Sequence, residues 1–121
     1  MAEYLYNEGH AWALVNGDTA KIGITPYAAE QLGDIVYVDL PEVGDEVTVG
    51  DTFTEVESSK TSSEVPSPIS GEIIAVNEEL DDEPEAVNDD AYAAWIIEVK
   101  LSDESELDDL LDADAYDEIC E

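Results

Sequence analysis

Turn signals cut the chain into short lengths. Asn16-Gly17-Asp18, Gly44-Asp45, Gly50-Asp51 and Ser70-Gly71 each mark a reversal, and brief runs rich in Val, Thr, Phe and Ile lie between them. Glycine reaches backbone conformations other residues avoid, and Asn and Asp side chains bond their own backbone, so such pairs end strands. Segments this short predict a mostly β fold, a compact barrel or sandwich with a few helices. With 121 residues, 44% of them hydrophobic, the chain has material for one core, and 1–121 is expected to form one domain.

Within this frame, Trp12 and Leu14 lie on one face of a strand that turns at Asn16-Gly17-Asp18 and resumes through Ala20, Ile22 and Ile24. Lys21 falls on the opposite, polar face of this hairpin and reads as a solvated charge. Thr25 as cap and Pro26 as first helical residue open a short helix near 26–32 that Gly33 stops. IVYVDL at 35–40 reads as a buried strand. The acidic stretch from 77 to 90 reads as irregular, with one helical turn after Pro84. A strand over 94–100 puts Trp95, Ile97 and Val99 on a common face. Ser102 or Asp103 can cap a helix near 103–111 carrying Leu107, Leu110 and Leu111, and Asp112 can start a further turn holding Tyr116 and Ile119.

Charge sets the partner class. Thirty-three acidic residues face three lysines, a formal net charge of −30. Such a chain cannot neutralise phosphates, which excludes nucleic acid, and an anionic membrane surface repels it equally. The surface suits basic partners or cationic groups, or a salt-adapted host. There is no apolar run of about eighteen residues and no basic-then-apolar start, so a soluble, cytoplasmic protein is expected. One His and one Cys give no disulfide and no metal site, and Cys120 reads as a packing or incidental residue. No nucleophile, base and orienting group occur together as a motif, so the chain is not expected to be an enzyme.

One lysine stands apart. In ESSKTSSE, residues 57–64, Lys60 is surrounded by small polar residues between strand-like arms at 53–57 and 65–74. This is the composition of a tight exposed turn with Lys60 at its tip. Two readings follow from the local pattern, an ordinary surface lysine or an amine displayed for use.

The sequence resembles the glycine cleavage system H protein family across nearly its whole length. The resemblance rests on IGITPYAAEQLGDIVYVDLPEVGDEV at 22–47, VESSK at 56–60, SPISGEI at 67–73, VNEEL at 76–80 and LSDESELDDLL at 101–111. It implies a lipoyl/biotinyl-type barrel-sandwich hybrid of two antiparallel sheets with the lysine on a hairpin. It implies lipoate in amide linkage to Lys60, with Glu57 and Gly71 serving ligase recognition and the hairpin. Biotin does not fit, because Ser59 and Thr61 flank the lysine where methionines would be expected. The implied role is a non-catalytic monomeric carrier of an aminomethyl group. It would take that group from a pyridoxal-phosphate glycine decarboxylase to a tetrahydrofolate-dependent aminomethyltransferase, and FAD-dependent dihydrolipoamide dehydrogenase would reoxidise it. A lipoate ligase or a lipoyl/octanoyl transferase would load it.

A cleft for the arm is implied as well, lined by His10 and Glu64. From its own surroundings His10 reads as structural, satisfied by a backbone partner; its place in the cleft comes from the family alone. Where the family has Ser-His-Glu-Trp, this chain has Gly9-His10-Ala11-Trp12, so a serine and a glutamate are missing and Glu8 is the nearby carboxylate that could substitute. Glu64 replaces an aspartate, and Tyr92-Ala93-Ala94-Trp95 replaces a glycine-containing turn. The loss of the glutamate at Ala11 motivates an alternative, an H-like carrier that donates lipoate or serves another transfer or redox enzyme.

Overall fold

The computed structural model describes residues 3–7, 10–92, 94–102 and 110–119. Glu8, Gly9, Cys120 and most of the helix expected near 103–111 lie outside the described residues. In chain order the elements are β1 (Glu3–Tyr6), β2 (Ala11–Asn16), β3 (Thr19–Ile24), α1 (Pro26–Leu32), β4 (Ile35–Val38), β5 (Glu46–Val47) and β6 (Thr52–Ser58). There follow β7 (Ser62–Pro66), β8 (Gly71–Val76), α2 (Glu79–Asp82), α3 (Ala86–Asp89), β9 (Ile97–Leu101) and α4 (Ala113–Ile119). Among the described residues the strands form two antiparallel sheets, one in the order β1-β2-β3-β9-β8-β5 and a smaller one in the order β4-β6-β7. The mostly β architecture with short helices is the one the turn signals predict.

Local chemistry explains several elements directly. Asn16 pairs with Thr19 across a two-residue loop, and Gly17 there takes a φ of 69°, a value glycine adopts without strain. Thr25 caps α1, its hydroxyl accepting the Ala28 N–H at 3.2 Å with Pro26 next in the chain. Gly33 ends that helix at φ 87°, its N–H donating to the Ala29 carbonyl. Asp112 caps α4 through the Ala115 N–H at 2.8 Å, as its position before the Tyr116 turn predicts.

The main core lies between the sheets. Ala11, Ala13, Ala20, Ile22, Ile24, Val56, Val65, Ile73, Ile97 and Val99 are buried there together with Ala29 and Leu32 of α1. Trp12 faces away from it, in a second cluster with Tyr6 and Tyr116 that Tyr4, Leu14, Tyr92, Trp95 and Leu111 cover. The larger sheet is therefore packed on both faces. Gly23 permits this, since a Cβ there would come within 2.8 Å of the Trp12 ring.

Four expectations need correction. Lys21 lies on the aromatic-covered face, with Nζ 5.2 Å from the Trp95 ring centre, so its charge is held over a π face rather than simply solvated. Trp95 precedes β9 and belongs to the second cluster, not to the face of Ile97 and Val99. The segment at 35–40 is an edge strand, not a buried one: a register shift between Ile35 and Tyr37 leaves Val36 55% and Tyr37 43% exposed. The arm drawn at 65–74 is two strands in different sheets. Between β7 and β8, the buried Ser67 donates its hydroxyl to the Ile69 carbonyl at 2.6 Å beside Pro66 and Pro68, and the chain crosses over there.

Candidate functional site

The turn joining β6 to β7 displays Lys60. Ser58 organises it: its N–H and hydroxyl both donate to the Thr61 carbonyl, at 2.7 and 3.0 Å. The same hydroxyl oxygen accepts the Lys60 and Thr61 N–H groups at 3.3 and 3.1 Å. A serine at the first corner thus satisfies the turn with no bulky side chain, leaving Ser59, Lys60 and Thr61 exposed. The Ser59 N–H donates to the Asp34 carbonyl at 3.0 Å, which fastens the tip to the link between α1 and β4.

The Lys60 side chain lies across Gly33. A Cβ on Gly33 would stand 3.2 Å from Lys60 Cε and 3.6 Å from Nζ, so the missing side chain is what leaves room for the lysine stem. Asn88 of α3 holds this glycine in place, its amide donating to the Gly33 carbonyl at 2.8 Å and accepting the Ile35 N–H at 2.8 Å. Among the described residues Lys60 has no ion-pair partner.

Beside Gly33 begins a groove of about 290 Å³ lined by His10, Ile24, Tyr27, Ala28, Gln31, Leu32, Ser63 and Val65. Its walls come from α1, β3 and β7, with His10 closing one side. In a chain with thirty-three acidic residues, none of these lining residues is acidic. Among the described lining residues Ile24, Ala28, Leu32 and Val65 are apolar, and His10, Tyr27, Gln31 and Ser63 bring an imidazole, a phenol, an amide and a hydroxyl.

His10 is held in several ways. Its backbone takes a left-handed φ of 66°, uncommon outside glycine. Asn7 supports the neighbouring loop, its side chain accepting the Ala11 N–H at 2.9 Å and donating to the Pro66 carbonyl at 3.0 Å. His10 Nδ1 lies 2.7 Å from the Tyr116 hydroxyl, which lies 2.6 Å from the Thr25 hydroxyl. The imidazole also sits 4.9 Å from the Tyr27 ring. Desolvation holds the His10 pKa below its ordinary 6.5.

This shift has a measurable consequence. From about pH 6.5 downward the unfolded chain binds the proton more readily than the folded one, so His10 costs stability as pH falls through that window and costs none above it. His10→Asn keeps a residue that tolerates the left-handed backbone and removes the titration. The melting-temperature advantage of the parent over this variant is expected to shrink between about pH 7.5 and about pH 5.5. An advantage that stays constant counts against the shift.

The other expected site residues fall in different places. Glu57 is half-buried in β6, paired with Tyr37 and Ser62 three residues before the lysine. Glu64 is exposed: strand alternation puts Ser63 and Val65 toward the groove and turns Glu64 away, its carboxylate accepting from Thr52 at 3.3 Å. The structure therefore does not bring Glu64 to the groove. Gly71 is not on the lysine hairpin but in β8, buried between β5 and β9 in the other sheet. Gln31, Ser63, Tyr27 and Tyr116 were not singled out as site residues. Their only sequence signal is position: Gln31 and Tyr27 share one face of α1, and Ser63 has the parity of the buried Val65.

Comparison with known proteins agrees with this architecture. A family model described as glycine cleavage H-protein matches residues 4–121. A glycine cleavage system H protein of Staphylococcus haemolyticus is 56% identical over 119 residues, spanning 98% of this chain and 94% of the relative. One from Vibrio campbellii is 54% identical over 113 residues, covering 92% and 90%. The crystal structure of a glycine cleavage system H protein from Mycobacterium marinum superposes with a TM-score of 0.86 at 38% identity, covering 94% of this chain and 93% of that one.

Proposed function

The chain belongs to the glycine cleavage H-protein family, and on that premise we propose that it is the lipoyl shuttle of the system, with lipoate in amide linkage to Lys60 Nζ. The family carries lipoate and is a component of the glycine cleavage system rather than a catalyst. The observation that carries the assignment to Lys60 is its placement: an exposed amine at a braced turn, its stem over Gly33, beside a largely apolar groove.

The residues suit a lipoyl group. Gly33 leaves space where a Cβ would crowd the arm's root, and Ile24, Leu32 and Val65 offer an aliphatic chain a dry wall. When bound, the dithiolane would receive an aminomethyl group from a pyridoxal-phosphate glycine decarboxylase, yield it to a tetrahydrofolate-dependent aminomethyltransferase, and be reoxidised by an FAD-dependent dihydrolipoamide dehydrogenase. This chain's part is to present, shelter and release. Ser58 and the Asp34 carbonyl hold the turn for the loading ligase or transferase, with Glu57 at its base. An arm lying in the groove would turn one side away from water, which would slow hydrolysis of its cargo. We place this work in the cytoplasm, performed by a monomeric carrier.

A second reading has two observations behind it: among the described residues no acidic one lines the groove, and Ala11 stands where the family has glutamate. A carrier so built could hand on lipoate or serve another transfer enzyme. Fully lipoylated protein incubated with the decarboxylase and carbon-labelled glycine separates the two. Label on the protein is expected. A lipoylated chain that never takes up label leaves only the second reading.

A further inference from the structure

Asn88 meets two backbone groups with opposite needs. Its Nδ2 donates to the Gly33 carbonyl and its Oδ1 accepts the Ile35 N–H, each at 2.8 Å. A carbonyl can only accept and a backbone N–H can only donate, so one neutral carboxamide serves both, in one orientation. The two groups belong to the peptide units on either side of Asp34. The second unit carries the Ile35 N–H at one end and the Asp34 carbonyl at the other, and that carbonyl accepts the Ser59 N–H at 3.0 Å. A peptide unit is planar and stiff, so fixing its N–H fixes the direction of its carbonyl. The Asn88 amide therefore directs the bond that reaches the lysine turn.

We propose that Asn88 is a positioning residue for acylation of Lys60, aiming the turn and the lysine stem so that Nζ meets an activated acyl group held by the loading enzyme. The inference rests on lipoylation at Lys60. Three observations carry it. The path from Asn88 to the turn is short: one peptide unit and hydrogen bonds of 2.8 and 3.0 Å end on Ser59, the residue before the lysine. The other carbonyl that Asn88 holds is that of Gly33, which underlies the lysine stem, since a Cβ there would stand 3.2 Å from Lys60 Cε. Asn88 is exposed while its neighbour Val87 anchors α3 in the core, so the Asn88 side chain supplies these two bonds and little packing.

The chemistry of loading makes aim decisive. Neutral Nζ attacks the acyl carbon of a lipoyl-adenylate; the amide C–N bond forms, the acyl C–O bond to phosphate breaks with AMP leaving, and the nitrogen releases one proton. The nitrogen must stand within reach of that carbon and on the correct line, and misplacement by about 1 Å costs on the order of a hundredfold. Docking of the turn on the enzyme is a separate matter. Ser58 makes the turn's internal bonds without help from Asn88, so docking survives when aim is lost.

Single-turnover transfer from lipoyl-adenylate held on a lipoate ligase, followed by intact mass at increasing carrier concentration, gives a maximal rate and a half-saturating concentration. In Asn88→Ala the maximal rate is expected to fall by about tenfold or more with half-saturation unchanged. A merely structural role would do the reverse: a smaller folded fraction raises the apparent half-saturating concentration and leaves the maximum intact. Asn88→Asp keeps an acceptor for the Ile35 N–H and loses the donor to Gly33, so a smaller fall in maximal rate is expected. Amide exchange with water, read by NMR, should rise about fivefold at Ser59 in Asn88→Ala, the size of one hydrogen bond, while Thr61, held by Ser58, keeps the parental rate. Asn88→Ala loading at the parental maximal rate, or changed only in half-saturation, overturns the proposal; if that variant does not fold, Asn88→Asp decides by the same criteria. A parent that takes no lipoyl mass, or a Lys60→Arg variant that takes as much, overturns attachment at Lys60 and this inference with it, whereas equal rates in a loaded parent and variant overturn the inference alone.

Discussion

Lys60→Arg is expected to abolish lipoylation and all carrier turnover while leaving the melting temperature unchanged. The two halves have separate causes. Guanidinium keeps its proton at any workable pH and cannot act as the acylated amine, so retaining the positive charge rescues nothing. Stability is indifferent because Lys60 is exposed and has no ion-pair partner among the described residues. The turn is held by Ser58 and the Asp34 carbonyl, whose bonds do not use the lysine side chain. Such surface changes stay within about 0.5 kcal/mol. Intact mass of protein isolated from a lipoylating host reads the first half, and a thermal melt reads the second. A residual lipoyl mass increment, or a loss of several degrees, would contradict the displayed-amine account.

Gly71→Ala should have the opposite profile, a large loss of stability whatever its effect on loading. A Cβ at Gly71 would collide with the Lys100 carbonyl oxygen and with Val99 Cγ1. The first contact is backbone, and Gly71 is paired with Val47 on one side and Leu101 on the other, so the strand cannot step aside. Overpacking of this kind typically costs about 1–3 kcal/mol, and a clash with backbone belongs at or above the top of that range. Chemical denaturation should place the loss at about 3 kcal/mol or more. The family resemblance links this glycine to ligase recognition, which forecasts a different result: an unchanged denaturation midpoint with impaired lipoylation. The outcome distinguishes a residue needed by the sheet from one read by a partner enzyme.

Much of the architecture was legible because its causes are local. Asn16-Gly17 closes a hairpin, Thr25-Pro26 opens α1, Asp112 opens α4, and the serines around Lys60 make a turn; in each case the residues that specify the feature are the ones that form it. What escaped depends on contacts between distant segments. Lys21 looked solvated because nothing nearby in sequence announces that Trp95 will lie beneath it. The strand drawn through 65–74 hid a change of sheet, although Pro66 and Pro68 were in view. Glu64 failed to reach the groove by a single step of strand parity, which family position does not record. His10 came by resemblance, but its partner Tyr116 is 106 residues away and reads only as one member of a helical turn.

The bond from the Ser59 N–H to the Asp34 carbonyl, with Asn88 clamping Gly33 behind it, makes the lysine's base part of the same block as α1. On the proposed attachment at Lys60, a cofactor anchored there would pivot about a fixed point, its travel coming from its own rotatable bonds and not from bending of the protein. Enzymes served by such a tether would have to approach within its reach and so take turns at it.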